Sequence, residues 1–158
     1  MSLLPFFEWV YATQLGETIR NSTWLFPVLE AFHLIALGFV AGSILLVDLR
    51  LIGVGLTRQP VAVLEANARP ILIAGLAVMA ASGIPLFMSE AIKCYYSFAF
   101  WVKMTCLVLA LIFAFTIRNQ TIRTNMASSQ SLPPHLIGAA SLALWFGVAW
   151  GGRWIGFS

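Results

Sequence analysis

The chain has 158 residues, 60% of them hydrophobic and only 9% charged, with a mean hydropathy of +0.90, whereas a soluble domain carries roughly 25% charged residues. That excludes a soluble catalytic module and points to an integral membrane protein, a single domain over residues 1–158 in which four apolar stretches use nearly the whole sequence. The formal net charge of +3 reads as a topology signal rather than a nucleic-acid footprint.

Residues 3–18 read as a short amphipathic helix lying in the membrane interface. Phe6, Phe7, Trp9 and Val10 face lipid in this reading, and Glu8, Gln14 and Glu17 face water. No basic region precedes the apolar run, and Pro5 and Glu8 interrupt it, so it does not read as a cleavable signal. Asn21-Ser22-Thr23 matches a glycosylation acceptor pattern but reads better as a helix cap.

Four spans follow, over about 22–50, 68–89, 97–118 and 135–155, each near or above the roughly 20 residues that a bilayer requires. Asn21 or Ser22 caps the first, Pro27 sits in its first turn, and Pro70 and Pro133-Pro134 open the second and fourth. Pro85 should kink the second span. Small residues such as Gly38, Gly42, Gly75, Gly83 and Gly138 let backbones approach closely. The predicted fold is all-α: a transmembrane up-down four-helix bundle with an N-terminal interfacial helix.

Arg50, Arg58 and Arg69 fall in the first connection and Arg118 and Arg123 in the third, against Arg20, Lys93 and Arg153 on the other side. The bias puts connections one and three inside and both termini outside, the periplasm of a bacterial inner membrane. Asp48 and Arg50, two apart, do not face each other on a helix and read as an anchor at the inner boundary.

Ionisable groups within a span cost roughly 2.5–3.5 kcal/mol each on insertion scales, so each is a candidate for function. His33 lies about nine residues into its span, roughly 14 Å deep, with Glu30 three residues earlier on the same face. Lys103 and Arg153 fall in the same outer half, so these four can converge, and Glu30 with Lys103 reads as an ion pair. Trp101, Trp145, Trp150 and Trp154 can wall a flat ligand or form an interfacial belt. Met88, Met104 and Cys106 are soft donors near the outer end, or gap-fillers. His135, at the inner start of the fourth span, lies roughly 15 Å from His33 along the membrane normal and does not share an iron with it. Cys94 and Cys106 are too few for a disulfide framework. Phosphate loops, zincin motifs and nucleophile elbows are absent from the sequence.

Two patches, "EAFHLIALGFVAGSILLVDLRLIG" and "FWVKMTCLVLALIFAFTIRN", resemble a superfamily of small bacterial membrane proteins. It includes the haem-containing four-helix protoporphyrinogen oxidases and the membrane domain of copper-resistance protein D. The matching positions are His33, Gly38 and Gly42 in the first patch and Trp101, Lys103 and Arg118-Asn119 in the second. The chain also resembles uncharacterised bacterial proteins of the same length and layout. The superfamily resemblance implies that His33 is an axial ligand of haem b, or a metal ligand, with Lys103 partnering a propionate or a carboxylate. It supplies no second His at matching depth, and where the copper family often has Trp-x-Gly this chain reads Val40 to Gly42.

Three functions stay open at this stage. The first is a haem b protein for electron transfer or porphyrin or quinone chemistry, with His33, Lys103, Glu30, Arg153 and Trp150 around the cofactor and quinone or a membrane redox protein as partner. The second is Cu(I) handling through His33, Met88, Met104 and Cys106. The third is a non-enzymatic accessory subunit or homo-oligomeric scaffold, without cofactor, in which Glu30, His33 and Lys103 serve packing or proton movement.

Overall fold

The computed structural model describes residues 3–55, 58–123 and 133–157, and among them every regular element is helical. The helices are α1 (Leu4–Tyr11), α2 (Gln14–Asn21), α3 (Leu25–Ile52), α4 (Val61–Ser89), α5 (Ala91–Tyr96), α6 (Phe98–Phe113), α7 (Asn119–Arg123) and α8 (Pro134–Ile155). A π-helical turn, Ala114–Arg118, joins α6 to α7. Four helical stretches, Leu25–Ile52, Val61–Ser89, Phe98–Arg118 and Pro134–Ile155, are long and apolar enough to cross a membrane. This is consistent with a multi-pass membrane protein.

The helix ends have local causes. The N-cap of α3 is Trp24, not Asn21 or Ser22, and its side chain makes no cap bond; Ser22 Oγ, two residues earlier, accepts the Leu25 N–H at 3.2 Å. Gly53, at φ +92°, closes α3 in the left-handed conformation and lets the Val54 N–H bond back to the Leu49 carbonyl at 2.9 Å. Pro134 opens α8 at its first turn. Pro70 does not open the second span: α4 begins at Val61 and carries both Pro70 and Pro85 inside it.

Packing registers are set by small residues. On the α3–α4 face, a Cβ added at Gly75 would lie 2.7 Å from Val40 Cγ2, and one at Gly83 would lie 3.0 Å from His33 Cε1. On α6 and α8, Gly147 meets Cys106 and Gly151 meets Lys103, while Gly138 of α8 sits under the Asp48 carbonyl of α3. In the α3–α4 and α6–α8 pairs rising numbers on one helix meet falling numbers on the other, so the two helices of each of these pairs run antiparallel. The core between them joins Val40, Ile44, Leu72, Ala110, Trp145 and Val148.

The N-terminal segment differs from the single interfacial helix expected over 3–18. Thr13, extended at φ −66° and ψ 143°, divides it, and its Oγ1 accepts the Gly16 N–H to start α2. Phe7 and Val10 do not face lipid: they are buried with Ala91 and Cys94 of α5. Phe7 meets Phe87 edge-on at 5.5 Å and Tyr95 at 5.2 Å, while Phe6 and Trp9 remain exposed. Edge-on aromatic pairs of this kind add to the burial of Phe7 itself.

Candidate functional site

Two polar sites lie among the long helices, at opposite ends of α3. Its buried stripe, spaced three or four apart, runs Ala36, Val40, Ile44, Val47 and Leu51, with His33 at one end and Asp48 near the other.

At the first site, His33 Nδ1 lies 3.0 Å from Ser82 Oγ of α4. Ser82 Oγ donates to the Val78 carbonyl at 2.7 Å, so it is left to accept from His33, and the ring nitrogen that faces it is the N–H. With the hydroxyl given to Val78, the proton sits on Nδ1 and Nε2 keeps its lone pair. Gly83 lets the imidazole lie against α4, since a Cβ there would be 3.0 Å from Cε1. Lys103 of α6 is close enough to act electrostatically on His33. Its stem lies along α8, with Nζ 3.8 Å from the place of a Cβ on Gly152. Three glycines on two helices thus make room for a histidine and a lysine on the other two.

The remaining residues expected at that site are placed variously. Glu30 is exposed on α3, and no ion pair to Lys103 or hydrogen bond forms at it among the described residues. Three residues separate it from His33, but its longer side chain projects outward where the imidazole turns in. Arg153 is exposed, its guanidinium 4.5 Å over the Phe157 ring. Trp150 stacks on Trp154 at 5.5 Å and 19°. Met88 packs in the Phe7 and Cys94 cluster, its carbonyl turned to Arg20, and Met104 is 38% exposed. Among the described residues no three His, Cys, Asp or Glu side chains gather as a metal site. Both cysteines are free thiols. His135 is exposed in the first turn of α8, one turn before Gly138, at the Asp48 end of α3. Fifteen residues of helix, about 22 Å, therefore part it from His33.

The second site corrects the reading of Asp48 as a boundary anchor. Asp48 is fully buried, and its Oδ1 accepts from Arg118 Nη1 at 3.1 Å. Arg118 Nη2 donates to Glu65 Oε2 of α4 at 3.0 Å. Arg118 itself is 1% exposed, so it is not a loop charge at the end of a span. Geometry explains how it turns in. Four residues of α-helix overshoot a full turn by about 40°, so Ala110, Ala114 and Arg118 would drift off one face. The wider π turn over 114–118 keeps Arg118 with the two buried alanines. Thr116 Oγ1 donates to the Ile112 carbonyl within the same stretch. Arg50 instead points to the connecting segment, its Nε donating to the Gln59 carbonyl at 2.8 Å.

A third polar contact closes the other end of the molecule. Arg20 of α2 donates to the carbonyls of Tyr11 at 2.9 Å, Ser89 at 3.3 Å and Met88 at 3.5 Å, and its guanidinium lies 3.7 Å over the Tyr11 ring. It thereby binds the last carbonyls of α4, where the helix dipole favours a cation.

A family model matches residues 6–158, all but the first five residues. The chain belongs to the family of unknown function DUF6644. No curated protein and no solved structure matches this DUF6644 chain. Its two polar sites therefore have to be read from their own chemistry.

Proposed function

We propose that this DUF6644 chain is an up-down four-helix protein of the bacterial inner membrane that binds haem b in the outer half of its bundle through His33 Nε2. The observation that carries this reading is the contact of His33 Nδ1 with Ser82: with the Ser82 hydroxyl given to the Val78 carbonyl, Nδ1 carries the proton and the nitrogen that a metal needs is left free. The donor set fits one imidazole on one iron and no more, since His135 stands at the far end of α3. Lys103 supplies a cation beside His33 for a propionate, and the Trp150 and Trp154 stack at the same end of α8 offers a flat apolar surface. When bound, the haem would supply one-electron chemistry, with quinone or a membrane redox protein as the partner. The chain's own part is to hold the imidazole against α4 and to place a positive charge beside it.

In the membrane, α1 and α2 lie at the outer interface with both termini on the periplasmic side. With Arg118 buried, the basic residues toward the inner end number four, Arg50, Arg58, Arg123 and, inside α4, Arg69, against Arg20, Lys93 and Arg153. Gly38 and Gly42 of α3 have no atom within 4 Å of where a Cβ would stand, which leaves a small-residue face for a second copy.

A second reading, a scaffold or accessory subunit without cofactor, is favoured by the Asp48, Glu65 and Arg118 cluster, which ties three spans together. Cu(I) handling draws no such support, because Met88 is committed to the aromatic cluster and Met104 is turned outward. Visible spectra of the detergent-purified protein, oxidised and reduced, separate these readings. Haem on His33 gives a Soret band and a sharp reduced α-band, both lost in His33→Ala. A colourless protein that folds equally well with and without His33 leaves the scaffold.

A further inference from the structure

The Asp48, Glu65 and Arg118 cluster has an unbalanced charge. Two carboxylates share one guanidinium, and each uses a single oxygen on a single Nη. Fully ionised, the group carries a net negative charge among Val47, Leu51, Ala68 and Ile137, surroundings in which an unneutralised carboxylate is not sustained. The second oxygen of Asp48, Oδ2, is buried with no hydrogen-bond partner. So is the hydroxyl of Ser141 on α8, a residue 1% exposed. Ser141 is near enough to Asp48 to interact with it, and it follows by one turn Gly138, whose missing Cβ lets α8 approach the Asp48 carbonyl. An acceptor oxygen and a hydroxyl, both fully buried, thus stand beside one another on neighbouring helices, near enough to share one hydrogen bond.

We propose that this cluster is an intramembrane proton-binding site, in which one dissociable proton resides on Asp48 Oδ2 and is handed to Ser141 Oγ as a hydrogen bond. Binding forms one O–H bond, breaks none in the chain, and takes the cluster from net negative to neutral. Ser141 Oγ can donate to an ionised Oδ2 as well, so it is the unneutralised charge of two carboxylates on one guanidinium that calls for the proton. The charged and titratable groups around it are few. On α3, Arg50 is held by the Gln59 carbonyl. On α4, Glu65 is the most exposed member of the cluster, and Arg69 follows it by one turn. On α8, His135 lies exposed two turns before Ser141. Glu65 is accordingly the member through which a proton enters. The site is separate from His33 and does not depend on haem.

Infrared spectroscopy of the purified protein, in H2O and after exchange into D2O, tests this. The wild type should show the C=O stretch of a protonated carboxylic acid that shifts in D2O and moves again in Ser141→Ala. Asp48→Asn and Glu65→Gln should each abolish it, because with one carboxylate left the guanidinium balances the charge and no proton is needed. Asp48→Asn should also melt close to wild type, being the near-isostere of the protonated acid. If Asp48→Asn does not fold, Glu65→Gln makes the same test. A wild type with no such band, a band that survives both substitutions, or a melting temperature raised by added sodium or potassium, as for a cation site, would each overturn the proposal.

Discussion

Arg118 Nη1 meets Asp48 Oδ1 at 3.1 Å across seventy residues of sequence, with the two side chains 2% and 0% exposed. The same guanidinium reaches Glu65 at 3.0 Å, so one side chain on α6 and its π turn fixes the ends of α3 and α4 together. Removing it leaves two buried carboxylates without a counter-charge, a change that costs about 3–5 kcal/mol when one partner of a buried pair is lost. Arg118→Met should therefore lower the melting temperature in detergent far more than Asp48→Asn does. Arg118→Lys should fall between them, because an ammonium on a flexible stem lacks the fork that spans both carboxylates. Equal melting of Arg118→Met and wild type would show that the cluster contributes nothing to the fold.

Gly16 is held for a different reason. A Cβ there would stand 2.7 Å from the Met88 carbonyl oxygen, which is backbone and cannot swing aside. Gly16→Ala should push α2 off the end of α4, strain the Arg20 contacts to Met88 and Ser89, and cost about 1–3 kcal/mol. Thermal melting measures the loss. Limited proteolysis near Thr13 should rise in parallel if the N-terminal helices loosen first.

Cys94 gives a reactivity test. Burial under Phe7 and Val10, helped by the nearby Glu90 carboxylate and opposed by the smaller effects of Lys103 and Lys93, pushes its thiol up to about 11. Only the thiolate reacts, so at neutral pH the reactive fraction falls roughly 100-fold below that of an ordinary thiol. In a Cys106→Ser background, maleimide labelling of native Cys94 should be very slow and should accelerate as pH rises toward 11. Labelling at the rate of a free thiol at neutral pH would show that α1 does not cover it.

The His33 and Ser82 contact should carry a small coupling energy even though it sets a tautomer. Hydrogen bonds between helices in a membrane average about 0.6 kcal/mol in double-mutant cycles. A cycle with His33→Ala, Ser82→Ala and the double variant, read by unfolding in detergent, should return a coupling of that order. A coupling near zero would mean that the imidazole is not held by Ser82.

The layout of the long helices was legible from composition, since apolar runs of this length have few other uses. The polar chemistry was only half legible. His33 stood out because a histidine amid aliphatic residues is conspicuous, and Lys103 for the same reason. Asp48 was misread because it sits two residues from Arg50, which suggested a boundary pair. The helical stripe Val40, Ile44, Asp48 carried the better signal, since spacing by four continues the buried face inward. Glu65 had no comparable cue, lying in the polar first turns of α4, seven residues before the buried Leu72. Arg118 turns inward only because of a π turn, and a hydrogen-bond shift of one residue leaves no mark in hydropathy. The division of the N-terminal segment at Thr13 was open to reading, because Thr followed three residues later by Gly16 and then Glu17 resembles a helix start.

The claim that His33 Nε2 is a haem ligand is tested most directly by haem titration with chemical rescue. Wild-type protein in detergent should bind haem at one per chain with a Soret shift that saturates, His33→Gly should not, and added imidazole should restore the shift in that variant by entering the space the side chain left. Wild type that takes up no haem, or a His33→Gly variant that binds it equally well without imidazole, would contradict the account.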